Sequence, residues 1–241
     1  MSQRIRYFLA HLCISTLVGL MLIGMVFFVW YPFPLAKAVG VTQIILILIT
    51  VDVIIGPLLS LLVYKVGKKT LKKDLLIIIL LQITALIYGL YNIVSSRPSW
   101  IVQNGDVFEL VRYNQILIDE DHQIADEYQS PPWFRPQWVA IQSLAQKDES
   151  FVQDAIAGIP TSIKPYRYTS LSHESARLQE YSQDLKHLTH FNPPNDINTT
   201  LKQFPNAGAW MPLRTGGIDM VVLIDKKNAA VLEIVDLRPW N

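Results

Sequence analysis

Three long apolar runs dominate the first part of the chain, at residues 7–31, 39–64 and 75–94, with short polar clusters between them. Each is long enough for a helix to cross hydrocarbon about 30 Å thick, which takes ~20 residues at a rise of ~1.5 Å each. From Arg97 onward the pattern changes to short alternating stretches broken by Pro, Gly and Asn. The pattern predicts a transmembrane domain over residues 1–96 and a soluble domain over residues 97–241, long enough to bury a core of its own.

The polar clusters predict an orientation. Arg4 and Arg6 precede the first run. That run is too long for a signal-peptide core and ends in Trp30-Tyr31-Pro32-Phe33-Pro34, an interfacial aromatic anchor with a Pro-broken turn. The loop between the second and third runs carries Lys65, Lys68, Lys69, Lys72 and Lys73, whereas the loop at residues 32–38 has only Lys37. Short basic loops stay in the cytoplasm. The expectation is a cytoplasmic N-terminus, a cytoplasmic Lys-rich loop and a C-terminal domain on the other side.

Asp52 stands out within the spans. It lies ~13 residues into the second run, or about 20 Å at 1.5 Å per residue, near mid-bilayer. An ionised carboxylate there costs about 2.5–3.5 kcal/mol or more unless it is paired, wet or neutral. Gly56 and Ser60 follow at helical spacing, so Asp52, Gly56 and Ser60 share a small, polar face suited to close helix approach. Pro57 has no amide hydrogen, so the carbonyl of Val53 is expected to lack its donor and the helix to kink there. This face reads as a candidate helix-docking surface; packing among the chain's own spans and ion or proton work are the other readings. Ser15 with Gly19, and Ala85 with Gly89 and Gln82, are milder versions of the same signal. His11 reads as an interfacial polar group.

In the soluble part, residues 100–103 and 106–113 around Asn104-Gly105 read as a hairpin with a two-residue type I′ turn. Residues 137–142 read as a further strand. Residues 148–157 and 172–189 read as helices, with a short helix near 196–203. Three closing strands are expected at 210–214, 218–225 and 230–237, with turns at Gly216-Gly217 and 226–228. Strands at both ends with helices between them predict an α+β domain with a mainly antiparallel sheet. Trp100, Trp210 and Trp240 lie beside these strands and read as structural.

Composition then narrows the chemistry. Lys and Arg number 21 against 20 acidic residues, for a net charge of +1, so no basic surface argues for nucleic acid. The single cysteine, Cys13, lies inside the first span. There is no GxGxxG, no P-loop, no HExxH and no GxSxG, so no cofactor, metal or catalytic residue is predicted. His187 and His190 are spaced i, i+3 with His173 upstream, and read as surface histidines. The Asp119, Glu120, Asp121 cluster and Glu109 read as turn and strand-edge acids. Asp52 has no second acidic residue within the three runs, which argues against an intramembrane aspartyl protease. A small-molecule ligand is not indicated.

Three stretches carry a family resemblance. They are residues 51–59, VDVIIGPLL before the Lys-rich loop; Arg97-Pro98-Ser99-Trp100 with the strand at 106–111; and the ending Trp210-Met211-Pro212-Leu213 with residues 221–225 and 234–240. In order and spacing they resemble the type IV pilin accessory proteins of the TfpX/TfpZ kind. Residues 115–205 carry little of the likeness. The resemblance implies a Gram-negative inner-membrane protein with a periplasmic domain, whose partners are a cognate type IV major pilin and the lipid bilayer, and which supports pilin handling or pilus assembly without catalysis. A membrane-anchored periplasmic ligand-binding sensor or transport-associated subunit is the alternative, and an enzyme that modifies pilin is a third.

The orientation is open to a fusion test. Alkaline phosphatase joined after Arg97 is expected to be active, and joined after Lys69 inactive. The reverse pattern contradicts the topology.

Overall fold

The computed structural model describes residues 1–143 and 149–241. It contains two compact units, residues 1–36 with 40–96, and residues 37–39 with 97–241.

The first unit is built from three helices long and apolar enough to cross a membrane: α1 (Gln3–Trp30), α2 (Val41–Val63) and α3 (Leu71–Ser95). The last five residues of α1, Val26–Trp30, are π-helical. Just past them the Tyr31 hydroxyl donates to the carbonyl of Ile93 on α3 at 2.7 Å. At the other end of the bundle Arg4 Nε donates to the carbonyl of Leu61, in the last turn of α2, at 2.7 Å. Helix ends leave such carbonyls without an internal donor, and a cation there also complements the helix dipole. Small residues mark the close approaches inside the bundle. A methyl group at Gly89 would overlap the Leu48 side chain, and one at Gly19 would meet Val53 at 3.2 Å.

The second unit is a seven-stranded sheet among the described residues, in the order β4-β3-β1-β2-β5-β6-β7. The strands are β1 (Pro98–Asn104), β2 (Val107–Arg112), β3 (Gln137–Ile141), β4 (Tyr168–Ser170), β5 (Ala209–Arg214), β6 (Met220–Asp225) and β7 (Ala230–Val235). The expectation of a mainly antiparallel sheet is corrected to a mixed one, because β1 pairs with β3, and β2 with β5, in parallel. Parallel neighbours need long crossovers, and local patterning reveals only hairpins. The β1–β2 hairpin forms where expected, but its two-residue loop is Gly105-Asp106, since Asn104 pairs with Val107. Gly105 has a positive φ and Asp106 does not, which excludes type I′ and fits a II′ connection.

All six residues of β6 are buried, so both faces of the sheet are covered there. On one face lie two clusters. Trp100, Val102, Val139 and Tyr168 anchor the first, and Trp210, Val221, Leu223 and Leu188 the second. On the other face the sheet curls onto itself: Ile101, Phe108, Met211, Val222 and Ile224 are almost inaccessible, and Phe108 meets Trp138 edge-to-face at 5.2 Å. Trp100 and Trp210 are fully buried. Trp240 is half-buried and donates its indole N–H to Asp219 at 3.0 Å.

Around the sheet, α4 (Glu149–Ala157), α5 (Ser175–Tyr181) and α6 (Pro194–Gln203) are the regular helices; Asp148, the expected start of the first, lies outside the described residues. The single helix expected over 172–189 breaks into α5 with 3₁₀ turns on either side. The break has a tertiary cause. Gln183 exchanges both backbone hydrogen bonds with Trp210, at 2.8 and 3.0 Å, and a residue in a bridge cannot also serve a helix. Asp184 then caps the next turn by accepting from the Lys186 amide at 2.9 Å.

Residues 37–39 belong to this unit although they sit in sequence between α1 and α2. The Ala38 carbonyl accepts from the Ile218 amide at 2.8 Å. Gly217 makes this possible, because a Cβ there would overlap that carbonyl. Lys37 Nζ pairs with Asp236 at 2.5 Å. Partial burial alone would raise the Asp236 pKa, but the hydrogen bonds from Lys37 and Arg238 outweigh it and hold the carboxyl below the ordinary carboxylate range.

A group whose folded pKa is depressed contributes stability that is present above the unfolded pKa, about 3.9, and lost as pH falls through the folded value. Melting of the intact protein should therefore drop as pH is taken from about 5 to 3. Asp236→Asn should lower the melting temperature at neutral pH and flatten that drop. An unchanged acid dependence in Asp236→Asn would exclude this carboxylate as a contributor.

Candidate functional site

The site begins with a backbone defect. Helix α2 is α-helical over Val41–Ile49, π-helical over Thr50–Ile55 and α-helical again over Gly56–Val63. Within the π segment the Gly56 amide bonds to the carbonyl of Val51, five residues back. The next bond in that register would run from residue 57 to Asp52, and Pro57 has no N–H. The wider register thus moves the carbonyl that lacks a donor from Val53, as the sequence predicts, to Asp52. Gln82 of α3 supplies the missing donor: its Nε2 reaches the Asp52 carbonyl at 2.9 Å. The amide occupies the space that a side chain at residue 56 would take, so Gly56 is what admits it.

The expected face of Asp52, Gly56 and Ser60 lies inside the three-helix unit. Asp52 is 8% exposed and Ser60 is fully buried. Gly56 is buried as well. Ser60 Oγ turns back to donate to the carbonyl of Pro57 at 2.7 Å.

Asp52 nevertheless reaches a groove. A cavity of about 330 Å³ is lined by Tyr7, Ala10, His11, Ile14, Ser15 and Val18 of α1, by Asp52, and by Ile79, Gln82, Ile83 and Leu86 of α3. Ile14 and Ile83 among its walls are exposed. The Asp52 carboxyl oxygens, Gln82 Oε1 and His11 Nδ1 are buried and have no hydrogen-bond partner among the described residues; His11 and Gln82 are near enough to influence each other without bonding in good geometry. Buried polar groups in proteins are ordinarily paired, and inside a membrane they mark functional positions. The groove is thus apolar along its length with one polar cluster of hydrogen-bond acceptors in its wall. It suits an apolar helix or chain that brings a donor.

A second groove of about 360 Å³ lies between α2 and α3, lined by Ile44, Ile47, Leu48, Val51, Ala85, Tyr88, Gly89 and Asn92. The small pair Ala85 and Gly89 sits here, with Leu48 against Gly89. It has no unpartnered buried carboxyl.

In the second unit Asp154, Lys164 and Arg167 form a buried ion-pair cluster, whereas the histidines are dispersed. His122 pairs with Asp119 at 3.0 Å and stacks on Tyr166. His173 Nδ1 lies 3.1 Å from the Thr169 hydroxyl. His187 and His190 stack on each other with centroids 6.1 Å apart. Among the described residues no three His, Cys, Asp or Glu gather as metal ligands. Sequence reasoning found Asp52 but missed its coupling to Gln82. The available signal was the five-residue spacing from Asp52 to Pro57, together with a polar residue midway along the next span.

Comparison with known proteins places the chain among fimbrial proteins. The family model of fimbrial assembly protein FimB matches residues 1–40. The fimbrial assembly protein of serogroup E1 from Dichelobacter nodosus is 32% identical over 180 residues, 73% of this chain and 70% of the relative. The serogroup I protein of the same organism is 31% identical over the same shares. The protein of serogroups C1 and C2 is 38% identical over 113 residues, 46% of this chain and 86% of the relative. No solved structure matches.

The Gly56–Gln82 contact makes a direct prediction. Gly56→Ala should displace the Gln82 amide and break its bond to Asp52, at a cost of about 0.6–1.7 kcal/mol, the range for interhelical hydrogen bonds in membranes. Reversible unfolding in mixed micelles measures it. Wild-type stability in Gly56→Ala would show that the amide is not held there.

Proposed function

The chain belongs to the fimbrial assembly protein family, and from that premise we propose that it is a non-catalytic accessory of type IV pilus biogenesis in the bacterial inner membrane, with its C-terminal domain in the periplasm, acting on a cognate major pilin. Type IV pilins resemble one another in an almost wholly apolar N-terminal helix that resides in the inner membrane before assembly. That helix is the occupant we assign to the groove between α1 and α3.

One observation carries the assignment: the unpartnered Asp52 carboxyl, with Gln82 and His11, in the wall of a mainly apolar groove formed by all three spans. Lipid chains fill apolar grooves but offer no donor to a carboxyl at that depth. A transmembrane helix offers both an apolar surface and, at one position, a hydroxyl, amide or amine. The groove, rather than the buried Gly56–Ser60 stretch, is the accessible part of the predicted docking face. Gly56 serves it from behind by admitting Gln82, whereas Ser60 is turned onto the Pro57 carbonyl of its own helix. Asp52→Asn, which keeps size and hydrogen-bonding capacity, should retain most of the function. Asp52→Leu should weaken pilin contact.

Site-specific photocrosslinking in cells tests the reading. A benzophenone side chain at Ile14 or Ile83, both exposed and lining the groove, should capture pilin several-fold more than one at Leu62, which faces outward, or at Ile47 in the second groove. Equal capture at all four positions, or capture at Ile47 alone, contradicts the docking assignment.

A further inference from the structure

The soluble unit is tied to the spans at two points, and both lie at one end of its sheet. Val39 is two residues before Val41, where α2 begins, and Arg97 is two residues after Ser95, where α3 ends. A fully extended residue spans at most about 3.6 Å, so each point is held within roughly 7 Å of a helix end. The first tether meets the sheet beside the start of β6 and the end of β7, through Ala38 with Ile218 and Lys37 with Asp236. The second leads directly into β1, and the Arg97 carbonyl accepts from the Tyr113 amide at 3.0 Å, just past β2. The turns at 105–106 and 226–229 lie at the opposite end, about 20 Å away along a six-residue strand.

The tethered end exposes large apolar side chains. The buried Arg97 guanidinium lies between two rings, 4.2 Å from the centroid of Tyr113 and 4.8 Å from that of Trp133. Tyr113 and Trp133 are themselves 46% and 50% exposed, with Phe134 at 65% and Ile218 at 41%. Singly, exposed apolar residues are ordinary; a Trp-Phe pair held beside an arginine at the one end of a domain that cannot leave the membrane is not. Tyr and Trp have an apolar body and a polar edge suited to the headgroup level of a bilayer. We infer that this end is a lipid-contacting surface, on which Tyr113, Trp133, Phe134 and Ile218 seat in the headgroup region of the leaflet from which the domain emerges. The inference rests on the three helices spanning a bilayer and is independent of the pilin assignment.

Depth-dependent fluorescence quenching tests it on the full chain in lipid nanodiscs. In a Cys13→Ser background, Phe134→Cys and Ile218→Cys are labelled with an environment-sensitive fluorophore, with Lys227→Cys at the opposite end as reference. Phospholipid bearing a nitroxide on its headgroup should quench the label at 134 at least twofold more than at 227. The label at 218 decides the matter if Phe134→Cys does not fold. Quenching at the test position equal to that at 227 overturns the inference, including the case in which the patch is covered by protein instead of lipid.

Discussion

In hydrocarbon no water is present to satisfy a backbone group, so each carbonyl of a spanning helix needs a donor from the protein. Pro57 removes one donor from the middle of α2, and the Gln82 amide returns it. Much of the membrane unit follows from that exchange. Gln82 must come from α3, which sets the approach of the two helices. Gly56 must lack a side chain, or the amide has no room. The π segment turns the orphaned carbonyl from Val53 to Asp52, so the residue held from behind by Gln82 is the one whose carboxyl meets the groove. The amide gives its donor to the backbone and leaves its own oxygen buried without a partner among the described residues. A local defect in one helix thus becomes a polar cluster in the wall of an apolar groove.

The sheet unit meets a different constraint. Its sheet is covered by helices and turns on one face and by its own curl on the other. Its edges and ends are then secured by specific polar contacts: Gln183 with Trp210, Asn192 with Arg238, and Asp219 with both Thr215 and Trp240. The segment at 37–39 adds a covalent restraint to that network. By binding Ala38 and Lys37, the domain holds the short loop between α1 and α2 as part of itself.

The three spans were legible because apolar runs of that length have few alternatives, and the closing strands were legible because period-two patterning and turn residues agree around 209–237. The hairpin at 98–112 was legible to within one residue of its turn. What escaped depends on contacts between distant segments. The parallel pairs join strands that are not neighbours in sequence, so the sheet read as antiparallel. Residues 172–189 have the charges and apolar stripe of a helix, yet Gln183 is claimed by Trp210. The π segment was hidden because Thr50–Ile55 has an ordinary transmembrane composition; only the absence of a donor at Pro57 pointed to it. Asp52 announced itself by its cost, but the side chain that supports it lies thirty residues on.

Gln82 substitutes for the amide that Pro57 lacks, and a double-mutant cycle measures that substitution directly. Pro57→Ala restores a backbone donor at residue 57. Unfolding free energies of wild type, Gln82→Leu, Pro57→Ala and the double variant should show Gln82→Leu costing about 0.6–1.7 kcal/mol with proline present and close to nothing once alanine is there. Equal costs of Gln82→Leu in the two backgrounds would contradict the account.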